Sequence, residues 1–340
     1  MESSASKTPE TMNSGQPAPE PVRIPKHWEW MWNWHMPGSL NRLMPRWLLH
    51  WLRHLKGMAL TSEIPRHLGF EQSLEDALAS ASFSIVVPIH DSPMVTCRCL
   101  ASLERYASKA EIILVDDASS LGETLDVIWA FSRRNGWKVI RHEKPLGHSA
   151  SCGAGAALAT QPYLCLLNSD TVATPWCWRQ LKEVFENREE IGVAGPSTSH
   201  CGTPQVLTVA RNLRAYWNDN QICGFAHRLL KNPSEPVLMD LPWVSGFAFF
   251  IRLALWQELG GFDPNLPDYG NEVELCHRVK EKGHRVVWVR NSYIHHFGQQ
   301  SYEGRIGGEG IMERIQAAKA YMESKGSKDR GTRTSFWSRD

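Results

Sequence analysis

Four short polar groupings in this chain have the residue types that chemistry needs, each at the end of an apolar run or the start of a helix. Asp116 and Asp117 directly follow EIILV, and Asn168, Ser169 and Asp170 directly follow LCLL. A carboxylate just past a buried strand faces the crevice in which open α/β sheets collect ligands. An Asx-x-Asp pair there can hold a hard divalent cation through oxygen, leaving other positions to water and substrate phosphates. The same residues would equally serve as turn formers or as caps for a helix expected near Pro175. Leu146, Gly147 and His148 open a small-residue run to Gly155, which suits backbone N–H groups approaching a phosphate or plain helix packing. Glu272, followed by Glu274, falls in the first turn of a helix, where an acid can accept a proton or merely offset the dipole. His295 and His296 close the series as metal ligands or as structural histidines.

Periodicity supplies the elements that must position these groups. Strands are expected over 83–88, 111–115, 138–141 and 163–167, with helices over 95–106, 123–135 and 149–160 between them. Such alternation is buried most simply as a mostly parallel sheet with helices on both faces. No GxGxxG follows the first strand, which disfavours a dinucleotide-binding domain. Beyond Pro175 come a helix (176–187), a strand (191–194), and a looser, Cys-, Gly- and Pro-containing stretch read as substrate-facing. Regularity returns over 241–251, then a GGFDP turn, a helix over 272–282 stopped by Gly283, and a strand over 285–289. The last 37 residues hold one helix, 311–323.

Composition sets outer limits. The 340 residues are 42% apolar and 21% charged with a net charge of +1, an ordinary globular balance without the basic stripe of a nucleic-acid binder. Eight cysteines contain no CxxC pair, so neither a zinc site nor a disulfide framework is legible, and a reducing cytoplasm fits them best. No run of about 18 apolar residues offers a membrane span.

Residues 1–22 are a Ser-, Pro-, Thr- and Glu-rich leader expected to be disordered. Residues 23–80 form a separate arm. Trp28, Trp30, Trp32 and Trp34 alternate with other residues, and RWLLHWLRHLK (46–56) places Leu48, Trp51, Leu52 and Leu55 on one helical face. Six Lys or Arg stand against one acid between 23 and 56. Residues 26–57 are therefore expected to meet a membrane surface peripherally, to self-associate, or to pack across the catalytic domain.

Taken in order, VVPIHDS, VDDAS, LGHSASCGAG, LLNSDT, GGFDPNLPDYGNEVELCHRVKEKGHRV and HHFGQQS resemble the inverting glycosyltransferases of family 2, especially the rhamnosyltransferase-like bacterial members. The resemblance covers about 82–301 and implies the nucleotide-diphospho-sugar transferase (GT-A) fold over 81–303. Residues 81–200 would be the nucleotide-sugar half, 201–303 the acceptor half, and 304–340 a helix and tail. It implies that Pro88, His90 and Asp91 lie near the nucleotide, with Asp117, accompanied by Asp116, on the base, and Gly147, Asn168 and Ser169 at the donor. Asp170 would bind Mg²⁺ or Mn²⁺ with His295 or its neighbour His296, and Glu272 would be the catalytic base. Three positions depart from the family pattern: Gly153 replaces an Asn, Asn271-Glu272 replaces Glu-Asp, and Asn168 replaces the first acid of the strand-end motif.

The activity so implied is metal-dependent sugar transfer from a nucleotide-diphosphate donor to a hydroxyl of a saccharide or lipid-linked glycan, in cell-surface polysaccharide synthesis. Its expected place is the cytoplasm, or the inner face of the membrane as a peripheral protein. A nucleotidyl or phosphosugar transferase of the same fold, or an inactive relative serving as an interaction protein, are the alternatives. The glycines of 298–310 suggest a lid that would exclude water.

Overall fold

The computed structural model describes residues 72–207, 219–231, 236–298 and 307–325. The leader, the Trp-rich basic segment and the end of the tail lie outside the described residues. The chain opens with α1 (Leu74–Ala79) and then runs β1 (Phe83–Ile89), α2 (Pro93–Tyr106), β2 (Glu111–Asp116), α3 (Gly122–Asn135), β3 (Lys138–Arg141), α4 (His148–Ala156) and β4 (Tyr163–Leu167). There follow β5 (Thr171–Val172), α5 (Cys177–Asn187), β6 (Ile191–Ser197), α6 (Asp219–Lys231), β7 (Leu238–Asp240) and β8 (Ala248–Arg252). Last come α7 (Leu253–Leu259), α8 (Asn271–Glu281), β9 (Arg285–Tyr293), β10 (His295–His296) and α9 (Gly307–Ser324).

Eight strands form one sheet in the order β3-β2-β1-β4-β8-β6-β9-β7. The first four are parallel, as the apolar runs predict. The sheet as a whole is mixed, because β8 lies antiparallel between β4 and β6, and β7 antiparallel on β9. Alternation along each strand feeds two cores. Ile85, Val87, Ile112, Leu114, Cys165 and Leu167 face α2, α3 and α5, which contribute Leu100, Phe131 and Trp178. Val86, Ile113, Val115, Leu164 and Leu166 face the other way, toward Cys152 and Ala156 of α4 and Leu275 and Val279 of α8.

The small-residue run in α4 has a packing reason. A Cβ at Gly155 would stand 2.3 Å from Val86 Cγ1, so this helix lies directly on β1 only because the residue is glycine. Several elements escaped the sequence pattern: α1 and β7, α7, which is too short for a clear period, the two-residue ladder of β5 with β10, and α6, a 13-residue helix within the stretch read as loose. The packed unit also begins earlier than residue 81. Arg179 of α5 pairs with Asp76 (3.1 Å) and Glu75 (3.2 Å), and Gln72 donates to the carbonyls of Tyr106 and Pro175, both at 2.9 Å. Among the described residues no helix is long and apolar enough to cross a membrane.

Candidate active site

Register delivers the first groups to one edge. Ile89 pairs with Asp116 at the carboxyl ends of β1 and β2, and the turns that follow are bolted to each other. Asp91, at φ 54°, accepts from the amides of Ser120 and Leu121 (both 2.9 Å) and from the Ser120 hydroxyl (3.0 Å). His90 Nδ1 lies 2.6 Å from the Asp117 carbonyl, and since a carbonyl only accepts, Nδ1 carries the proton. Pro88 is half-buried within β1. The Asp116 carboxylate is fully buried, held by Arg141 and by the Ser119 amide at 3.0 Å. Asp117 accepts from His142 Nδ1 (2.9 Å), the Leu146 amide (2.7 Å) and the Gly147 amide (3.0 Å). Burial opposes that charge, but these donors outweigh it and hold the Asp117 carboxyl below the usual carboxylate range. Asp91 and Asp116 thus serve the turns, and Asp117 pins Gly147, whose φ of 92° begins the approach to α4.

The second cluster forms where β4 ends. Asn168 and Asp170 do not cap α5, which has Trp176 at its N-cap without a side-chain bond. They lead instead into β5, whose ladder with β10 pairs Thr171 with His296 and Val172 with His295. Alternation then separates the two histidines. His296 faces Asp170, with Nε2 3.1 Å from Oδ1. His295 turns to the other side, fully buried, with Nδ1 2.9 Å from the Tyr293 hydroxyl. Of the two candidate ligands, the structure brings His296 to the carboxylate and not His295. Ser169 is buried in the turn between them.

His296 is oriented as a ligand should be. Its Nδ1 lies 2.6 Å from the His200 carbonyl and so carries a proton, which turns Nε2 toward Asp170 either as a lone pair or as a second N–H. Two acceptors at such a separation repel unless a cation or a proton joins them. Ligands about 2.1 Å from Mg²⁺ at right angles stand about 3.0 Å apart, so this pair fits an octahedral cation. Among the described residues no group of three or more His, Cys, Asp or Glu converges. Such a cation would therefore keep most positions for water and phosphate, as Mg²⁺ commonly does.

Glu272 sits in the first turn of α8, whose N-cap Gly270 has φ 78°. One edge of its side chain stays accessible while the carboxyl is surrounded by protein, and burial pushes its pKa up. The Gly246 amide donates to its Oε1 at 3.2 Å. Gly246 and Phe247 received no role from the sequence, yet they join the two clusters. Ala248 pairs with Leu167, which places the preceding residues at the carboxyl edge of β4. There the Phe247 carbonyl accepts from the Asn168 amide (2.9 Å), and its ring stacks on His296, centroids 5.2 Å apart. A Gly-aromatic pair immediately before a strand is the signal that could have found them.

The departures and the lid take definite places. A Cβ at Gly153 would meet nothing within 4 Å, so the missing Asn leaves space. Gly298, at φ 77°, is packed so closely that a Cβ there would overlap the His200 ring. Gly307, Gly308 and Gly310 belong to α9, so a lid over 298–310 does not hold as drawn, and residues 299–306 lie outside the described part. Helix α9 docks on the turn that precedes Glu272, through Arg314 to Asp268 and through Lys325 and Tyr321 (2.9 Å) to Asp263.

With this geometry in place, comparison with known proteins defines the class. Residues 84–240 match the sequence profile described as glycosyl transferase family 2. That match takes in somewhat under half of the chain, and the chain as a whole has the GT-A fold. It is 25% identical over 236 residues to the O-antigen biosynthesis protein RfbC of Myxococcus xanthus, covering 63% of this chain and 17% of that protein. It is similar in fold to GalNAc-T7, crystallised with UDP, GalNAc and Mn²⁺, at 18% identity and TM-score 0.51, over 72% of this chain and 50% of that one. Residues 1–349 of Staphylococcus aureus TarS align at 15% identity and TM-score 0.47, over 71% of this chain and 65% of that one. The chain thus spans under a fifth of RfbC and half of GalNAc-T7.

Proposed function

We propose that this protein is a metal-dependent, inverting glycosyltransferase that moves a sugar from a nucleoside-diphosphate donor to a hydroxyl of a saccharide or lipid-linked glycan. The observation that carries the reading is the bridge at Gly246–Phe247, which sets the Asp170–His296 pair and the Glu272 carboxyl on either side of one short segment. A bound Mg²⁺ or Mn²⁺ would neutralise charge on the departing nucleoside diphosphate. Asp170 and His296 would hold it, and Asp117 with the 142–147 turn would shape the base end of the donor site. Glu272 would take the acceptor proton at Oε2, because Oε1 is engaged by the Gly246 amide. A carboxyl raised by burial is a better proton acceptor than an exposed one once ionised.

The RfbC likeness and the UDP, GalNAc and Mn²⁺ seen with GalNAc-T7 support this reading, with a role in surface-polysaccharide synthesis. Calorimetric titration with UDP, GDP, dTDP and their sugars, in Mn²⁺ and in EDTA, tests it. Metal-dependent binding of one nucleotide, followed by sugar transfer to a saccharide acceptor, is expected. No binding of any of them to folded protein overturns it.

A further inference from the structure

Asn271 precedes the candidate base, and its hydrogen bonds can be assigned direction without ambiguity. The Glu272 amide lies 3.0 Å from Asn271 Oδ1, and a backbone N–H only donates, so the oxygen is on that side. The Nδ2 group then faces two acceptors: Ser149 Oγ at 2.8 Å and His148 Nδ1 at 3.3 Å. Ser149 gives its own proton to the Leu266 carbonyl, which leaves its oxygen to accept. His148 must therefore present a lone pair at Nδ1 and carry its proton at Nε2, on the edge nearest the Cys152 sulfur (3.6 Å). Asn168, at the end of β4, lies beside the same ring. The His148 amide is anchored separately, to Asp268 Oδ1 at 3.3 Å. Burial, which disfavours the imidazolium, agrees with a ring held neutral.

We propose that Asn271 and His148 are positioning residues that hold the first turn of α8, and with it Glu272, in register with α4 and the end of β4. This rests on the glycosyltransferase reading for its kinetic consequence, though not for its geometry. Position 271 requires an amide rather than an acid. An aspartate there could still accept from the Glu272 amide, but it has no hydrogen for Ser149 Oγ or His148 Nδ1. Both bonds that Asn271 donates to α4 would then be lost, and the one to His148 could be remade only if the ring changed tautomer and donated from Nδ1. Asn271 is thus a built part of this site and not a sign of its decay. Displacing a base by about 1 Å can cost about 100-fold in rate.

The test uses the full chain. His148→Leu and Asn271→Asp are expected to lower kcat about 10- to 100-fold with donor KM unchanged, and His148→Gln, whose Oε1 can accept from Asn271, to recover most of it. Independently of turnover, ¹⁵N NMR of the His148 ring is expected to show an unprotonated Nδ1 in the wild type and a shift toward the Nδ1–H tautomer in Asn271→Asp. A protonated Nδ1 in the wild type overturns the proposal, as do kcat values within twofold of wild type for both variants. Should His148→Leu fail to fold, the Gln variant and the nitrogen shift still decide. If the wild type transfers no sugar, the functional reading falls and the ring tautomer alone settles the network.

Discussion

Asp117 and Glu272 are carboxylates of one molecule, one expected at the donor and the other as the catalytic base, in opposite surroundings. Asp117 accepts from three fixed donors and is held below its usual pKa; Glu272 accepts from backbone amides alone, its own and that of Gly246 at 3.2 Å, and burial pushes it above. A carboxylate with its lone pairs committed to the protein defines shape. One with a free oxygen and a poorly solvated charge can exchange a proton. The Asp170–His296 pair has a further character: two buried side chains brought together by the ladder of β5, which follows Asp170, with β10.

The largest effect tests that contrast directly. Glu272→Gln keeps the shape and the Gly246 contact but removes the basic oxygen, so kcat is expected to fall about 10²- to 10⁴-fold. Donor affinity by calorimetry should stay within about twofold, and an equal loss of both would make Glu272 a donor ligand instead. The same variant carries a stability prediction of defined sign. Because the folded pKa lies above the unfolded value near 4.5, the folded state binds more protons as pH rises through that interval, and stability declines there. Glu272→Gln should therefore be more stable than wild type at neutral pH in urea denaturation while losing its activity.

Next in size is the cation pair. His296→Gln is expected to weaken donor binding in Mn²⁺ about 10- to 100-fold and to abolish the difference between Mn²⁺ and EDTA. His295→Gln supplies the contrast: it should lower the melting temperature, through its Tyr293 bond, and leave metal dependence intact. The reverse pattern would mean that the two histidines have been assigned to the wrong faces. Smaller again is Gly246→Ala. The new Cβ would lie 3.1 Å from Glu272 Oε1, tight enough to shift the carboxyl by a few tenths of an ångström, for about a tenfold loss of kcat.

These residues differ in how far the sequence revealed them. The donor half was legible because its strands are continuous apolar runs, and the acids that end them sit where a parallel sheet must present them. FSIVVPI and YLCLL pair side by side, and Asp117 and Asp170 follow as expected. Beyond residue 200 the strand ending near 251, the helix over 272–282 and the strand from 285 were legible as well, but the antiparallel placement of β8 was not, so nothing marked Gly246 and Phe247. HH at 295–296 announced a pair but could not say which ring faces Asp170, since that depends on the register of a two-residue ladder. His148 lay within a quoted motif, but its value arises from Asn271, 123 residues away.

The smallest expected effect concerns Asp117, and it sharpens the comparison from the structural side. Asp117→Asn replaces one acceptor oxygen with an NH₂ group that must face either the Gly147 amide or the Leu146 amide and His142. Opposed donors at that position should cost about 1–3 kcal/mol of stability, measured by urea denaturation. The pH sign is opposite to that of Glu272. The Asp117 pKa is depressed on folding, so its contribution is present above the unfolded value near 3.8 and is lost as pH falls through the folded one. The gap between wild type and Asp117→Asn should therefore be constant near neutrality and close only below about pH 4. A gap that stayed unchanged well below pH 4 would mean that the charge on the Asp117 carboxyl is not what its donors hold, and that the loss in Asp117→Asn comes from the misplaced NH₂ group alone.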